Sequence, residues 1–164
     1  MKELLIIRSV SFQQLDKNLA AIAKAYPDHR ISILTHEHGV MLAQKYRQVN
    51  DIYVYPYKEG FKLKNKVPVL KDKTFDVVIV PVTNITGAGF FNVLLFSLGL
   101  KASKRVLCNV RSEFKEVRRF SVLCLGLKNL AISVLSSVST AVLAVFVIPF
   151  LPFKLRNLEK KGEL

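Results

Sequence analysis

The stretch that decides the fold is residues 4–8, LLIIR, an apolar run of four residues that ends in an arginine. Four consecutive aliphatic side chains predict a short strand buried on both faces, because a half-exposed strand would alternate apolar with polar residues. Across residues 12–26, apolar positions recur every three or four residues, which predicts an amphipathic helix with Ser11 as its N-cap. Pro27 ends this pattern. The chain therefore opens with a strand followed by a helix.

The alternation of strands and helices continues along the chain. Further strands are predicted at residues 30–34, 52–55, 75–80 and 105–108, and further helices at residues 37–48 and 90–98. Alternating elements are typical of a parallel sheet covered on both faces. The sequence predicts an α/β fold over residues 1–110, with a Rossmann-like parallel sheet of about five strands and flanking helices.

A long uncharged stretch follows this domain. Residues 129–153, NLAISVLSSVSTAVLAVFVIPFLPF, carry no charge, and the 20 residues before Pro149 are long enough, as a helix, to span a hydrocarbon layer of about 30 Å. A buried helix of a soluble domain is the alternative, but such helices are seldom apolar on every face. We expect one transmembrane or re-entrant helix at 129–153, because residues 120–153 are too few for two spans. A basic juxtamembrane segment at 111–128 and a basic tail at 154–164 would flank it.

The chain has 164 residues and a net charge of +13, most of it in the middle of the sequence. Residues 57–128 carry 14 cations and 5 acids. In residues 57–73, lysines alternate with apolar residues, which favours contact with anionic lipid, although a solvated loop explains the pattern equally well. RNA binding lacks a supporting RNP, KH or helix-turn-helix pattern, so no nucleic-acid partner is expected. The predicted membrane-contact residues are Lys62, Lys64, Lys66, Arg118, Arg119 and Lys128.

The distribution of charge also predicts an orientation. Cations are more numerous before the uncharged stretch than after it, which favours a cytoplasmic N-terminal domain. The apolar run within residues 1–9 is too short for a signal peptide, so export is not expected. We expect the chain at the inner (cytoplasmic) membrane, with its globular domain facing the cytoplasm.

The candidate binding residues follow the first and fourth predicted strands. Ligands of open α/β sheets bind at the carboxyl ends of the strands. The loops at those ends carry Arg8, Ser9, Ser11, Thr83 and Asn84. Neither loop contains a dinucleotide or P-loop motif, but hydroxyls beside a helix start can hold an oxyanion. Ordinary turn and cap chemistry is the alternative.

No cofactor or metal site is predicted. His36 and His38 flank a glutamate, but the spacing is not HExxH, no third ligand is evident, and a cap or turn role is favoured. Cys108 and Cys124 lack a pairing or metal-ligand spacing and are expected to be reduced and buried. No nucleophile, base and acid combination can be assigned from the three histidines, so no catalytic residue is predicted.

Three passages carry a family resemblance. AYPDHRISILT at 25–35, VNDIYVY at 49–55 and FDVVIV at 75–80, in this order and spacing, resemble the N-terminal half of glycosyltransferase family 9, the lipopolysaccharide heptosyltransferases, over about residues 2–108. The resemblance implies a GT-B fold, in which the N-terminal domain binds the saccharide-lipid acceptor and a C-terminal domain binds the nucleotide-sugar donor. In that family a glycine and an aspartate, the presumed catalytic base, follow the first strand; Gln13 and Gln14 stand at the matching positions. Where the donor domain would begin, this chain enters the uncharged stretch.

The resemblance and the uncharged stretch together predict a membrane-anchored, acceptor-binding half of a split GT-B enzyme in lipopolysaccharide or envelope polysaccharide assembly. Its expected partners are membrane lipid, a donor-binding glycosyltransferase subunit and a lipid-linked saccharide acceptor. The alternative is a non-catalytic membrane-associated binding or scaffold protein. Gln14 favours this alternative, because an amide cannot take up a proton as a carboxylate can. Asp16 is no easy substitute, since two residues along a helix it points about 200° away. Whether the chain is an enzyme is left open.

Overall fold

A computed structural model describes residues 2–160, with the side chains of all of these except residues 125, 127–131 and 146–160. The chain divides into two compact units, Met1–Leu123 and Cys124–Leu164. The first unit holds a six-stranded sheet with its helices, and the second holds most of one long helix.

Strands and helices alternate along most of the chain, as the sequence predicts. In chain order they are β1 (Lys2–Ile7), α1 (Phe12–Ala25), β2 (His29–His36), α2 (Val40–Ala43), β3 (Asp51–Tyr55), β4 (Thr74–Pro81), α3 (Phe91–Leu98), β5 (Lys101–Cys108), β6 (Phe114–Glu116) and α4 (Arg119–Lys160). Short 3-10 turns lie at Glu37–Gly39 and Pro68–Leu70. The predicted cap of α1 is confirmed, because the Ser11 side chain accepts a hydrogen bond from the Gln14 backbone N–H.

The sheet order is β3-β2-β1-β4-β5-β6. Strands β1 to β5 are parallel, and β6 pairs antiparallel with β5. The chain order therefore reverses between β1 and β4, whose registers match Leu4 with Val77 and Ile6 with Ile79. Such a switch point leaves a crevice at the carboxyl ends of the two central strands. The predicted α/β class and the largely parallel sheet are confirmed.

Both faces of the sheet are buried, as the LLII run predicts. Leu4 and Ile6 face α1, and Leu5 and Ile7 face α3, with all four completely buried. Burying an aliphatic side chain of this size contributes about 1.5–3 kcal/mol. Strand β1 thus joins the two cores and fixes the loop that follows it.

The sequence-based elements differ from the structure at one helix and two strands, and the first of these strands, β5, begins at Lys101 instead of residue 105. The helix predicted at 37–48 is only a 3-10 turn and the four-residue α2, because Gly39 packs directly against the Thr35 and Arg8 side chains in a tight turn. The short strand β6 was missed, because its three residues are all exposed and carry no burial pattern. Cys124 was expected to be buried and is exposed, whereas Cys108 is buried as predicted.

Residues 57–73 form a structured part of the first unit. Phe61, Val67 and Leu70 belong to the core on the α3 side of the sheet. The buried Asn65 amide donates to the Tyr55 hydroxyl at 2.9 Å, and the Tyr57 hydroxyl donates to the Lys66 carbonyl at 2.9 Å. Contact with anionic lipid and a solvated loop were both open for this segment; Phe61 and Val67 point into the core, and the lysines are exposed.

Helix α4 carries large apolar side chains that nothing covers within the described residues. They are 49–70% exposed and comprise Ile132, Val134, Leu135, Val138, Val142, Leu143 and Val145. Within the part of the chain that the structure describes, no helix is both long enough and apolar enough to cross a membrane. The side chains of residues 129–131 and 146–153 of the predicted segment are not described, nor are those of Lys128 and of the tail at 154–164.

Candidate anion-binding cleft

A cleft of about 690 Å³ opens at the carboxyl ends of β1 and β4, where the sheet order reverses. Its walls come from the loop after β1, the end of β2, the segment 57–73 and the start of α3. The lining residues are Arg8, Ser9, Val10, Ser11, His36, His38, Gly60, Phe61, Lys62, Thr83, Gly89, Phe90, Asn92 and Val93. Four of the five predicted binding residues, Arg8, Ser9, Ser11 and Thr83, therefore meet in one cleft.

Arg8 is the most firmly held cation of the cleft. Its Nε donates to Thr35 Oγ1 at 2.7 Å and its Nη1 to the Val10 carbonyl at 3.2 Å. The guanidinium carbon also lies 4.7 Å from the centre of the Phe12 ring, a cation–π distance. Burial lowers the pKa of Arg8 from its ordinary value, but an arginine remains charged at neutral pH. All of these partners are neutral.

The side chains described by the structure place no carboxylate within ion-pair distance of Arg8. The cleft lining likewise contains neither aspartate nor glutamate. A half-buried guanidinium that is oriented but not neutralised attracts an anion more strongly than a solvated one, because the effective dielectric constant is lower. The cleft can therefore hold a phosphate or carboxylate group.

Two histidines extend the cleft along β2. His36 and His38 stack with their ring centres 5.6 Å apart, and His38 Nε2 lies 3.4 Å from Arg8 Nη2. Burial lowers the pKa of His36, and the nearby charge of Arg8 lowers it further. The His36 Nε2 lies 3.3 Å from the Glu59 carbonyl, which opposes this shift and occupies that ring nitrogen, so His36 shapes the wall of the cleft.

The hydroxyls of Ser9 and Ser11 differ in their ability to donate a hydrogen bond to a ligand. Ser9 Oγ donates to the Pro81 carbonyl and so ties β1 to β4, which uses its only proton. Ser11 Oγ accepts the bond from the Gln14 N–H, which leaves its own proton available to a ligand. Of the two predicted serines, Ser11 can donate to an anion, and Ser9 positions the loop.

Thr83 and Asn84 also differ in their position relative to the cleft. Thr83 is exposed and lines the cleft. Asn84 does not line it, because its Nδ2 donates to the Ala88 carbonyl at 2.7 Å and its Oδ1 accepts from the Gly87 N–H. This bonding closes the loop around Gly87 and Gly89, which both have positive φ angles. Asn84 thus shapes the loop that carries Thr83.

Gln14 points away from the cleft. Its Nε2 donates to Asn18 Oδ1 at 3.0 Å and to the Val110 carbonyl at 3.4 Å, beyond β5. Asp16, the nearest carboxylate in sequence, accepts a hydrogen bond from the Tyr46 hydroxyl on the outer side of α1. Neither the residue matched to the family's aspartate nor its neighbour enters the cleft lining.

Four polar residues of the cleft were not among the predicted binding residues: His36, His38, Lys62 and Asn92. The histidines end the strand that pairs with β1, so the strand order alone could have brought them to the same edge. For Lys62, no sequence pattern indicated a position in the cleft. It was predicted to contact membrane, but it lines the cleft and pairs with Glu59. Lys64, Lys66, Arg118 and Arg119 are exposed, as a membrane contact would require.

The described residues contain no cluster of three or more metal-ligating side chains. His36 and His38 lie at a strand end and a 3-10 turn, the positions expected of turn residues.

Comparison with known proteins adds no assignment to this geometry. No model of a known protein family matches the chain, and no curated protein is significantly similar to it.

Proposed function

We propose that this chain is a membrane-attached module that binds a phosphorylated, lipid-linked saccharide in the Arg8 cleft. In this proposal it is the acceptor-binding half of a split GT-B glycosyltransferase of envelope polysaccharide assembly, and a separate chain binds the nucleotide-sugar donor. The observation that carries the binding part is the guanidinium of Arg8, held by neutral groups at the switch point of the sheet.

The chemistry of the cleft supports an anionic ligand over a neutral sugar. Arg8 Nη2 and the Ser11 hydroxyl supply donors, and Lys62 adds a second cation whose charge is shared with Glu59. A phosphate offers acceptor oxygens to all of these donors, and charge-assisted bonds are about twice as strong as neutral ones. A neutral hydroxyl group would leave the Arg8 charge uncompensated.

Membrane attachment is supported by helix α4. Its exposed aliphatic residues have no cover among the described residues, and removing such surface from water is favourable. Two of its hydroxyls are satisfied within the helix: Ser137 Oγ donates to the Ser133 carbonyl and Thr140 Oγ1 to the Ser136 carbonyl, both at 2.9 Å. Polar side chains in a bilayer satisfy themselves in this way.

A binding assay with matched sugars tests the cleft. We expect glucose 1-phosphate to bind the full chain more tightly than glucose, and Arg8→Gln to weaken phosphosugar binding by roughly tenfold or more, as expected for losing a charged hydrogen bond. Isothermal titration calorimetry measures both affinities.

Arg30→Gln is the matched control, because Arg30 lies outside the cleft and pairs with Asp51 at 2.8 Å. This variant should bind the phosphosugar as the parent chain does. Equal binding of the two sugars, or equal losses in the two variants, would show that the cleft does not select an anion through Arg8.

A non-catalytic binding or scaffold protein is the second candidate. It is favoured by the direction of Gln14 and by the lack of a carboxylate in the described lining of the cleft. A transfer assay separates the two candidates: the chain is mixed with donor-binding proteins encoded beside it, nucleotide-sugars and lipid-linked acceptors. Sugar transfer that requires this chain supports the split enzyme. Tight acceptor binding without transfer under any combination supports the scaffold.

A further inference from the structure

A second hollow, of about 700 Å³, lies between the segment 57–73 and the end of α3. Its walls are mainly apolar and include the core side chains of Val67, Leu70, Phe96 and Leu100, with Leu63 at its mouth. Leu63 is 52% exposed, although it borders an apolar surface. We call this hollow the Leu63 groove.

The edge of the Leu63 groove is cationic. Lys66, Lys71 and Lys101 line it, and all three are exposed. Among the described residues, the ion pair at this rim joins Lys101 to Asp72 at 3.7 Å, and the Asp72 side chain is 90% exposed. An ion pair of that length and exposure neutralises little charge. An apolar groove with an uncompensated cationic rim is complementary to an amphiphile with an anionic head.

The groove is also preformed. The Tyr57 hydroxyl donates a hydrogen bond to the Lys66 carbonyl, and the buried Asn65 amide donates one to the Tyr55 hydroxyl. The 3-10 turn Pro68–Leu70 places Leu70 in the core. The lysines therefore project from a fixed backbone around the apolar walls. A ligand entering here incurs little cost for ordering the protein.

We propose that the Leu63 groove binds one acyl chain of an anionic phospholipid, with the headgroup phosphate held by Lys66, Lys71 and Lys101. Acyl carbons meet Leu63, Phe96 and Leu100, and the phosphate remains at the rim, where the lysines keep contact with water. This site is separate from the Arg8 cleft, since the two share no lining residue. Lipid binding in the Leu63 groove does not depend on which ligand the Arg8 cleft binds.

Photo-crosslinking of the full chain in detergent micelles tests the site. The probe is phosphatidylglycerol with a diazirine in one acyl chain, and labelled peptides are mapped by mass spectrometry. We expect label on peptides covering residues 63–70 and 96–101, and less label from phosphatidylcholine with the same acyl chains. Leu63→Glu should abolish this label, and Lys71→Ala should weaken it by roughly fivefold, the effect of losing one lysine at a lipid headgroup.

Two matched variants serve as controls. Val69→Glu changes an apolar residue of the same segment that is 62% exposed and does not line the groove, and Lys64→Ala removes an exposed lysine outside its rim. Both should label as the parent chain does. Label confined to α4, or equal loss in Leu63→Glu and Val69→Glu, would overturn the proposal. Equal labelling by the two lipids would overturn the role of the anionic headgroup.

Discussion

At the scale of single residues, the position of Arg8 depends on a glycine. Thr35, which accepts the Arg8 Nε bond, is completely buried, and Gly39 packs against both side chains. A Cβ at position 39 would lie 2.3 Å from Thr35 Oγ1, 3.2 Å from the Phe12 ring and 3.3 Å from Arg8 Nε. The turn after β2 thus needs glycine for space, and that space lets the guanidinium reach the cleft.

Gly39→Ala should therefore disturb stability and binding together. The added methyl forces Thr35 or the turn to move, and overpacking of this kind costs about 1–3 kcal/mol. Denaturant unfolding should show this loss, and the affinity for glucose 1-phosphate should fall in the same variant because the Arg8–Thr35 bond is displaced.

Gly60→Ala is the control for that substitution. A Cβ at Gly60 meets nothing within 4 Å, so the unfolding free energy should stay within about 0.5 kcal/mol of the parent value. If Gly39→Ala changes the unfolding free energy as little as Gly60→Ala does, the close approach to Thr35 does not constrain the turn.

At the scale of elements, the end of α3 is closed by a buried arginine. Arg105 on β5 donates to the carbonyls of Ser97, Leu100 and Ala102 at 3.0, 2.7 and 3.2 Å, and it is only 3% exposed. The last carbonyls of a helix lack partners within the helix and carry partial negative charge, which a cation stabilises. Burial lowers the pKa of Arg105 from its ordinary value. Its three carbonyl partners offset that burial.

Replacing Arg105 with methionine should destabilise the chain. Methionine fills similar space but leaves buried carbonyls without a donor, which costs about 1–3 kcal/mol. Denaturant unfolding measures the loss. Lys104→Met, at the exposed neighbouring position, should change stability by no more than about 0.5 kcal/mol. Similar unfolding curves for the two variants would mean that Arg105 is not needed to close α3.

At the scale of the whole molecule, the chain combines a sheet-bearing unit with a helix whose apolar side chains are exposed. The first unit buries its aliphatic residues in two cores. The described side chains of α4 beyond Cys124 do not, since those from Ile132 to Val145 are almost all exposed. Exposed apolar surfaces of this kind mark interaction sites, and the proposed occupant of this one is lipid.

Ala144→Arg tests this assignment. If residue 144 lies near the centre of a bilayer, an arginine there should cost about 2.5–3.5 kcal/mol of insertion, and retention in the membrane fraction after a high-salt wash should fall. Ser121→Arg places the same charge in the first turn of α4, and this variant should stay in the membrane fraction as the parent chain does. Unchanged retention of the Ala144 variant would contradict the placement, and full recovery of the parent chain in the soluble fraction would contradict a spanning segment.

Local patterns predicted the parts of the fold that depend on local physics. Strand β1 and helix α1 follow from apolar spacing, and the carboxyl edge of the sheet was identified from the order of elements. The turn at Gly39 could not be predicted, because it depends on Arg8, which is distant in sequence. The side chains of Gln14 and Asn84 are directed by contacts with backbone carbonyls at Val110 and Ala88, which residue type alone does not reveal. Four of the five predicted binding residues therefore line the cleft, and Asn84 does not.

The segment 57–73 places lysines and core residues side by side on one backbone. Phe61, Asn65 and Val67 are buried, while the lysines between them are solvent-exposed. Single substitutions of these exposed lysines should therefore leave the fold intact, whereas a deletion in the segment would disrupt the core. Substitution at Lys64 or Lys66 would thus alter this surface and leave the Arg8 cleft unchanged, whereas substitution at Lys62 would alter the cleft, which Lys62 lines.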